Sequence, residues 1–148
     1  MKVLFLCTGN TCRSPLAEAI ARRAADLRGL TGVEFASAGT AVREPAATEN
    51  ACAVAREHGL DLGAFSPRAL SDVARDGVDL TLGMDGGHVD VAVASGSRSA
   101  FLLADYAEGV ARPVRDPYGG DLGSYRETYD ELERLVVGTL DRLASERA

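Results

Sequence analysis

The 148-residue chain has no tryptophan, one lysine, two histidines and three cysteines. Three thiols, Cys7, Cys12 and Cys52, are an odd number and too few for a disulfide scaffold. With His58 and His88 as the only histidines, a structural zinc site is not expected, and nothing calls for a metal or other cofactor. No apolar run approaches the roughly 18–20 residues of a membrane span. Lys2 opens a short apolar run, but Gly9, Asn10, Thr11 and Arg13 end it before it resembles a secretion signal. Basic residues are in the minority, 16 against 22 acidic ones, for a formal charge of −6. Such a field repels phosphate backbones and anionic lipid, so neither nucleic acid nor a membrane is an expected partner. A cytoplasmic setting follows, and its reducing conditions would keep the thiols usable.

What is present suits one folded domain spanning residues 1–148, with 46% hydrophobic and 26% charged residues and no internal repeat. Residues 3–7 (VLFLC) form the continuous apolar run of a strand buried on both faces. Ser14-Pro15 then reads as an N-cap followed by a first-turn proline. Leu16, Ile20, Ala24 and Leu27 continue as the apolar stripe of a helix, with Glu18 and Arg22 paired on its exposed side. Residues 33–37 suggest a second strand; Ala47, Ala51, Val54 and His58 mark a helix stopped by Gly59. Residues 78–84 suggest a third strand, and Phe101-Leu102 a short fourth. The polar–apolar alternation over residues 88–94 favours a strand there, with a helix left open. Leu122, Tyr125, Tyr129, Leu132, Val136, Leu140 and Leu143 trace the buried face of a long last helix. Buried strands alternating with amphipathic helices imply an α/β fold, a parallel sheet covered on both sides. Ligands of such sheets bind beyond the carboxyl ends of the strands, where the loop after the first strand lies.

That loop is Cys7-Thr8-Gly9-Asn10-Thr11-Cys12-Arg13-Ser14. Cysteine, five residues and arginine before a helix let the chain curl round one tetrahedral anion, with inward amides and the positive helix end facing it. Gly9 suits a tight turn, and Asn10 tolerates a left-handed backbone. Arg13 offers a planar fork of donors to two phosphoryl oxygens. A helix N-terminus with a nearby cation can bring a cysteine from a pKa of about 8.5 to roughly 3.5–7.5, and Ser14 is placed to hydrogen-bond the sulfur. A nucleophilic thiolate at Cys7 is the reading. A lone cysteine ending a strand would be ordinary packing; this spacing is not.

Asp116-Pro117-Tyr118-Gly119-Gly120 supplies the second half of the chemistry. A carboxylic acid on a loop can protonate a departing atom, and Tyr118 can wall the cleft. Cys12, in the same curl as Cys7, is a possible redox partner that protects the nucleophile. Cys52 reads as core, and neither histidine has the company of a ligand or base.

These residues resemble the low-molecular-weight protein tyrosine phosphatase family over nearly the whole chain. The resemblance rests on VLFLCTGNTCRSPLAEA at the start, ASAGT at 36–40, LTLGMD at 80–85 and RDPYGG at 115–120. It implies a three-layer fold, a four-stranded parallel sheet in the order 2-1-3-4 with helices on both faces, and a short helix after the third strand. It implies a metal-free reaction on phosphorylated proteins: Cys7 attacks phosphorus, Asp116 protonates the leaving group, and water then hydrolyses the cysteinyl-phosphate. Asn10, Ser14 and Ser37 fall where the family has a network shaping the phosphate loop.

Within the family the chain is similar to bacterial protein arginine phosphatases. Thr11 stands where tyrosine-specific members carry Ile or Leu, and residues 41–44 (AVRE) lack the aromatic wall of a phosphotyrosine cleft. Tyr118 and Met84-Asp85 instead follow the wider family, so phosphotyrosine remains the alternative substrate. Two other classes use similar loops. An arsenate reductase needs a resolving cysteine pair further along, and no cysteine follows Cys52. A phosphoryl carrier has little need of an acid that speeds hydrolysis.

Overall fold

The computed structural model describes residues 1–73 and 77–147. Four strands, β1 (Lys2–Cys7), β2 (Glu34–Gly39), β3 (Leu80–Gly83) and β4 (Ala100–Leu102), form one parallel sheet in the order β2-β1-β3-β4. The helices are α1 (Arg13–Arg28), α2 (Glu49–Glu57), α3 (Gly86–Ala94), α4 (Leu103–Glu108) and α5 (Leu122–Arg147). Among the described residues no helix is long and apolar enough to cross a membrane.

The period-two alternation of β1 divides the interior. Val3, Phe5 and Cys7 join a core with Leu16 and Ile20 of α1 and Tyr129, Leu132 and Leu140 of α5. Leu4 and Leu6 face the other way, packing with Ala36, Ala38, Leu70 and Ala92 of α3. Helices therefore cover both faces, and β1 has no solvated side, which is why its sequence is a continuous apolar run. Each of the fully buried leucines of α5 contributes roughly 1.5–3 kcal/mol of burial.

Three expectations change. Leu27 is 81% exposed, because the stripe of α1 runs through Ala17, Ala21 and Ala25 rather than on to Leu27. Alanines on that stripe bring the helix close to the sheet, and Gly29, at φ 66°, ends it. Ser14 is not the cap of α1. Cys12 holds that position with no side-chain cap bond, and Ser14 lies inside the first turn, turned toward Cys7.

Residues 88–94 belong to α3, not to a strand. Parallel neighbours such as β3 and β4 need a crossover, and a helix supplies it. Asp85 starts that helix: its carboxylate accepts from the amide of His88, while His88 Nδ1 accepts from the amide of Asp85. Only His88 and Ala92 of α3 are fully buried; Val89 is half-buried beside Gly83, while Val91 and Val93 lie on the exposed surface. Gly83 lets α3 sit on β3; a Cβ there would lie 3.0 Å from that of His88. The helix α4, absent from the sequence reading, is a single short turn-and-a-half buried through Leu103, Ala104 and Tyr106.

Candidate active site

The carboxyl ends of β1 and β2 are in register, Cys7 opposite Gly39. Past that pair the chain of β1 turns into the loop 8–12 and starts α1 at Arg13. Cys7 is buried, and its Sγ lies 2.8 Å from Ser14 Oγ. Asn10 Nδ2 donates to Ser14 Oγ at 2.8 Å and to Ser37 Oγ at 3.0 Å. Ser37 in turn donates to Glu18 Oε1 at 2.8 Å. With its oxygen accepting from Asn10, Ser14 keeps one proton to give, and the sulfur is nearer (2.8 Å) than the Ala38 carbonyl (3.4 Å). The chain Glu18–Ser37–Asn10–Ser14 therefore ends in a donor aimed at Cys7.

Asn10 carries the conformational strain of the loop, at φ 56°. The amide of Arg68 donates to its Oδ1 at 2.8 Å and holds it there. Gly9 does not have a left-handed backbone, and a Cβ on it would meet only the side chain of Thr11. The glycine that the loop requires is Gly39. A Cβ there would come 2.5 Å from Thr8 O, 2.9 Å from Val42 and 3.0 Å from Asn10 N. Two bonds fasten the loop to this strand end, Thr40 N to Cys7 O at 3.0 Å and Ala41 N to Thr8 O at 2.8 Å. Gly39→Ala should therefore destabilise the protein by about 1–3 kcal/mol. Thermal unfolding with and without phosphate checks this, and a loop pushed aside should also lose most of the stabilisation by phosphate.

Among the described residues, no amide from Thr8 to Cys12 donates to a protein acceptor. Five donors at the uncapped start of α1 suit a tetrahedral oxyanion. Arg13, 4% exposed, is held over them. It donates from Nη1 to Val114 O at 2.9 Å, and Nη2 lies 3.5 Å from Asp116 Oδ2. Asp85 Oδ2 is 3.9 Å from Nη1. The Val114 bond ties the segment around Asp116 to the loop 8–12, since Asp116 stands two residues on. Asp116 accepts from the amide of Tyr118 at 3.0 Å, and Gly120 N donates to Pro117 O at 2.8 Å. Gly119, at φ 79°, completes this tight turn.

Cys7, Thr8, Gly9, Thr11, Cys12, Arg13, Asp116 and Tyr118 line one cavity of about 400 Å³, together with Ala41, Arg43 and Glu44. The family described as low molecular weight phosphotyrosine protein phosphatase matches residues 2–148. The chain belongs to this family. It is 35% identical over 151 residues to a protein-arginine-phosphatase of Bacillus subtilis, covering 99% of both chains. It is 33% identical over 142 residues to the low molecular weight protein-tyrosine-phosphatase PtpB of Staphylococcus aureus, covering 95% of this chain and 98% of that one. A solved structure of YwlE arginine phosphatase, a C7S mutant with a phosphorylated active site serine, superposes with a TM-score of 0.92. It is 32% identical, over 99% of this chain and 98% of that one.

Ser37 accepts from Asn10 in the loop network, and that network reaches Glu18, which the helical pattern assigned to the exposed side. Glu18 does pair with Arg22, at 3.1 Å, yet its side chain is only 13% exposed because Ser37 draws it inward. Cys12 is buried under the loop, with Tyr125 Oη at 3.2 Å and Thr48 Oγ1 at 3.5 Å from its sulfur. Burial, and then the bond to Cys12, raise the Tyr125 hydroxyl above its ordinary range, so it stays a donor. Cys7 and Cys12 are both free thiols. Cys52 is only partly buried, packed against the core from α2. His58 stacks on Tyr129, with centroids 3.8 Å apart.

His88 is the site residue that sequence reasoning missed. It is 3% exposed, and its Nε2 lies 2.9 Å from Thr8 Oγ1 in the loop 8–12. The available signal was Asp85 three residues before it, a capping box with histidine in place of the usual glutamate or glutamine. Among the described residues no cluster of three His, Cys, Asp or Glu side chains is arranged to hold a metal ion.

Proposed function

We propose that the chain is a protein phosphatase of a single domain, residues 1–148, that removes phosphate from arginine side chains of proteins. Cys7 Sγ attacks phosphorus, forming an S–P bond as the P–N bond breaks, and Asp116 gives its proton to the departing guanidinium nitrogen. Asp116 then takes a proton from water, whose oxygen attacks phosphorus; the S–P bond breaks and inorganic phosphate leaves. The amides of residues 8–12 and the Arg13 fork stabilise the charge on the transferring group throughout. Cys12 is the thiol we assign to condense with Cys7 after peroxide oxidises it to the sulfenic acid, forming a disulfide and releasing water. A reducing cytoplasm is the compartment that suits such a nucleophile.

The cavity wall carries the choice of substrate. Beside Arg13 and Arg43 it combines the Thr11 hydroxyl with the carboxylates of Glu44 and Asp116, the latter 3.5 Å from Arg13 Nη2, and the segment 41–44 brings no aromatic ring. Carboxylates and a hydroxyl match the N–H edge of a guanidinium, whereas a phenyl ring gains most from apolar walls. One observation favours phosphotyrosine instead: Tyr118 stands 59% exposed at the cavity, free to stack on a ring.

The specificity constants for a phosphoarginine peptide and a phosphotyrosine peptide of the same sequence decide between them. The phosphoarginine peptide should be preferred, and Thr11→Ile should shift the ratio about 10-fold or more toward phosphotyrosine, the scale of an unpaired polar substrate group. A ratio that Thr11→Ile leaves unchanged removes Thr11 as a determinant. A wild-type preference for the phosphotyrosine peptide overturns the arginine assignment.

A further inference from the structure

The phosphate loop is fastened from a second side, by α3. His88 Nδ1 accepts from the backbone amide of Asp85 at 3.1 Å, and a backbone N–H cannot reverse its role. A neutral imidazole with its acceptor at Nδ1 carries its proton on Nε2. That N–H faces Thr8 Oγ1 at 2.9 Å, so the threonine oxygen accepts. Among the described residues His88 is the only hydrogen-bond partner of this hydroxyl. Its own proton is thereby left to donate elsewhere, and Thr8 lines the cavity beside Cys7 and Arg13.

We infer that His88 is a positioning residue that commits the Thr8 hydroxyl to donating to the phosphoryl group, adding a side-chain donor to the loop's amides. The inference rests on the phosphatase function proposed for the chain. It gives α3 and the turn after β3 a share in oxyanion binding, although neither supplies an atom to the loop.

The charged groups facing His88 are Asp85 from its own turn, Arg13 from α1 and Asp116 from the acid loop. Burial lowers its pKa below the ordinary 6.5, against the pull of Asp85, and Arg13 lowers it further. Stability therefore depends on pH. As pH falls below about 6.5 the unfolded chain takes up this proton before the folded one does, so stability is full above that pH and declines below it. The decline ends once the folded protein is protonated too, with Nδ1 then unable to accept from Asp85.

Variants separate positioning of Thr8 from capping of α3. In His88→Asn the side-chain oxygen can replace Nδ1 under the Asp85 amide but cannot reach Thr8. In His88→Gln the amide nitrogen reaches as far as Nε2. Inorganic phosphate, titrated against the whole protein at pH 7, is the probe. Thr8→Val and His88→Asn should each weaken it roughly 10-fold, the scale of one hydrogen bond to a charged group. The Thr8→Val/His88→Asn double variant should be no more than about twofold weaker than either, and His88→Gln should stay within about threefold of wild type. The imidazole nitrogen spectrum of the wild type should show the Nε2-protonated tautomer. The acid decline in melting temperature below about pH 6.5 should flatten in His88→Asn.

Wild-type phosphate affinity in His88→Asn, losses that multiply in the double variant, or a proton found on Nδ1 at pH 7 would each overturn the inference. Failure of the phosphatase function itself reads differently. Neither phosphopeptide is then turned over, while phosphate still binds more weakly to Thr8→Val and His88→Asn than to wild type and His88→Gln.

Discussion

Replacing Cys7 by Ser should lower turnover of a phosphopeptide by at least about 10⁴-fold while leaving phosphate affinity within a few-fold of wild type. The substitution keeps a small side chain at the end of β1 and leaves the amides, Arg13 and the Asn10–Ser14 network in place. What it removes is the sulfur, a far better nucleophile than a hydroxyl oxygen. A serine hydroxyl ionises far less readily than a thiol in any surroundings, so the donors left in place do not make up for the loss. Single-turnover kinetics with a phosphoarginine peptide, alongside a phosphate titration, measures both quantities. A variant that binds phosphate and still turns over within 10-fold of wild type would exclude sulfur as the attacking atom.

The second large effect belongs to Asp116. Asp116→Asn should slow the chemical step on a phosphoarginine peptide by about 10²- to 10⁴-fold, with little change in KM. The amide keeps an oxygen for the bond from Tyr118 N, so the tight turn should survive. It cannot give up a proton as the acid does. The loss should shrink for an aryl phosphate whose phenol is strongly acidic, because that oxygen leaves as an anion without protonation. Equal losses on the two substrates would point to another role. Asp116 would then serve by its ion pair with Arg13, 3.5 Å away, holding the guanidinium in place.

Particular residues show how far local pattern reaches. The run VLFLC is legible as a buried strand because both faces of β1 are covered, and α5 because its apolar residues repeat over about six turns. Cys7 and Arg13 are legible as partners because one loop and one helix start set their separation. The segment 88–94 is not, because its alternating valines carry a strand period while the parallel pairing of β3 with β4 demands a crossover. Leu27 fits a helical stripe yet projects past the edge of the core, and no spacing rule shows where a core ends. Glu18 looks like a solvated helix residue until Ser37, on a strand 19 residues away, gives it a hydrogen bond.

The sequence by itself determined the loop and the spacing of Cys7 and Arg13 across it, since five intervening residues and a helix start suffice to gather amides at one point. Tertiary structure decided what acts on that loop from outside. Gly39 lies under Thr8 and Asn10, Val114 and Asp116 meet Arg13 from about a hundred residues away, and His88 reaches Thr8 across 80. The physical reason is that the strand ends of a parallel sheet bring together loops from distant parts of the chain. A hydrogen bond between two such loops has a partner on each, and no periodicity within either one encodes it.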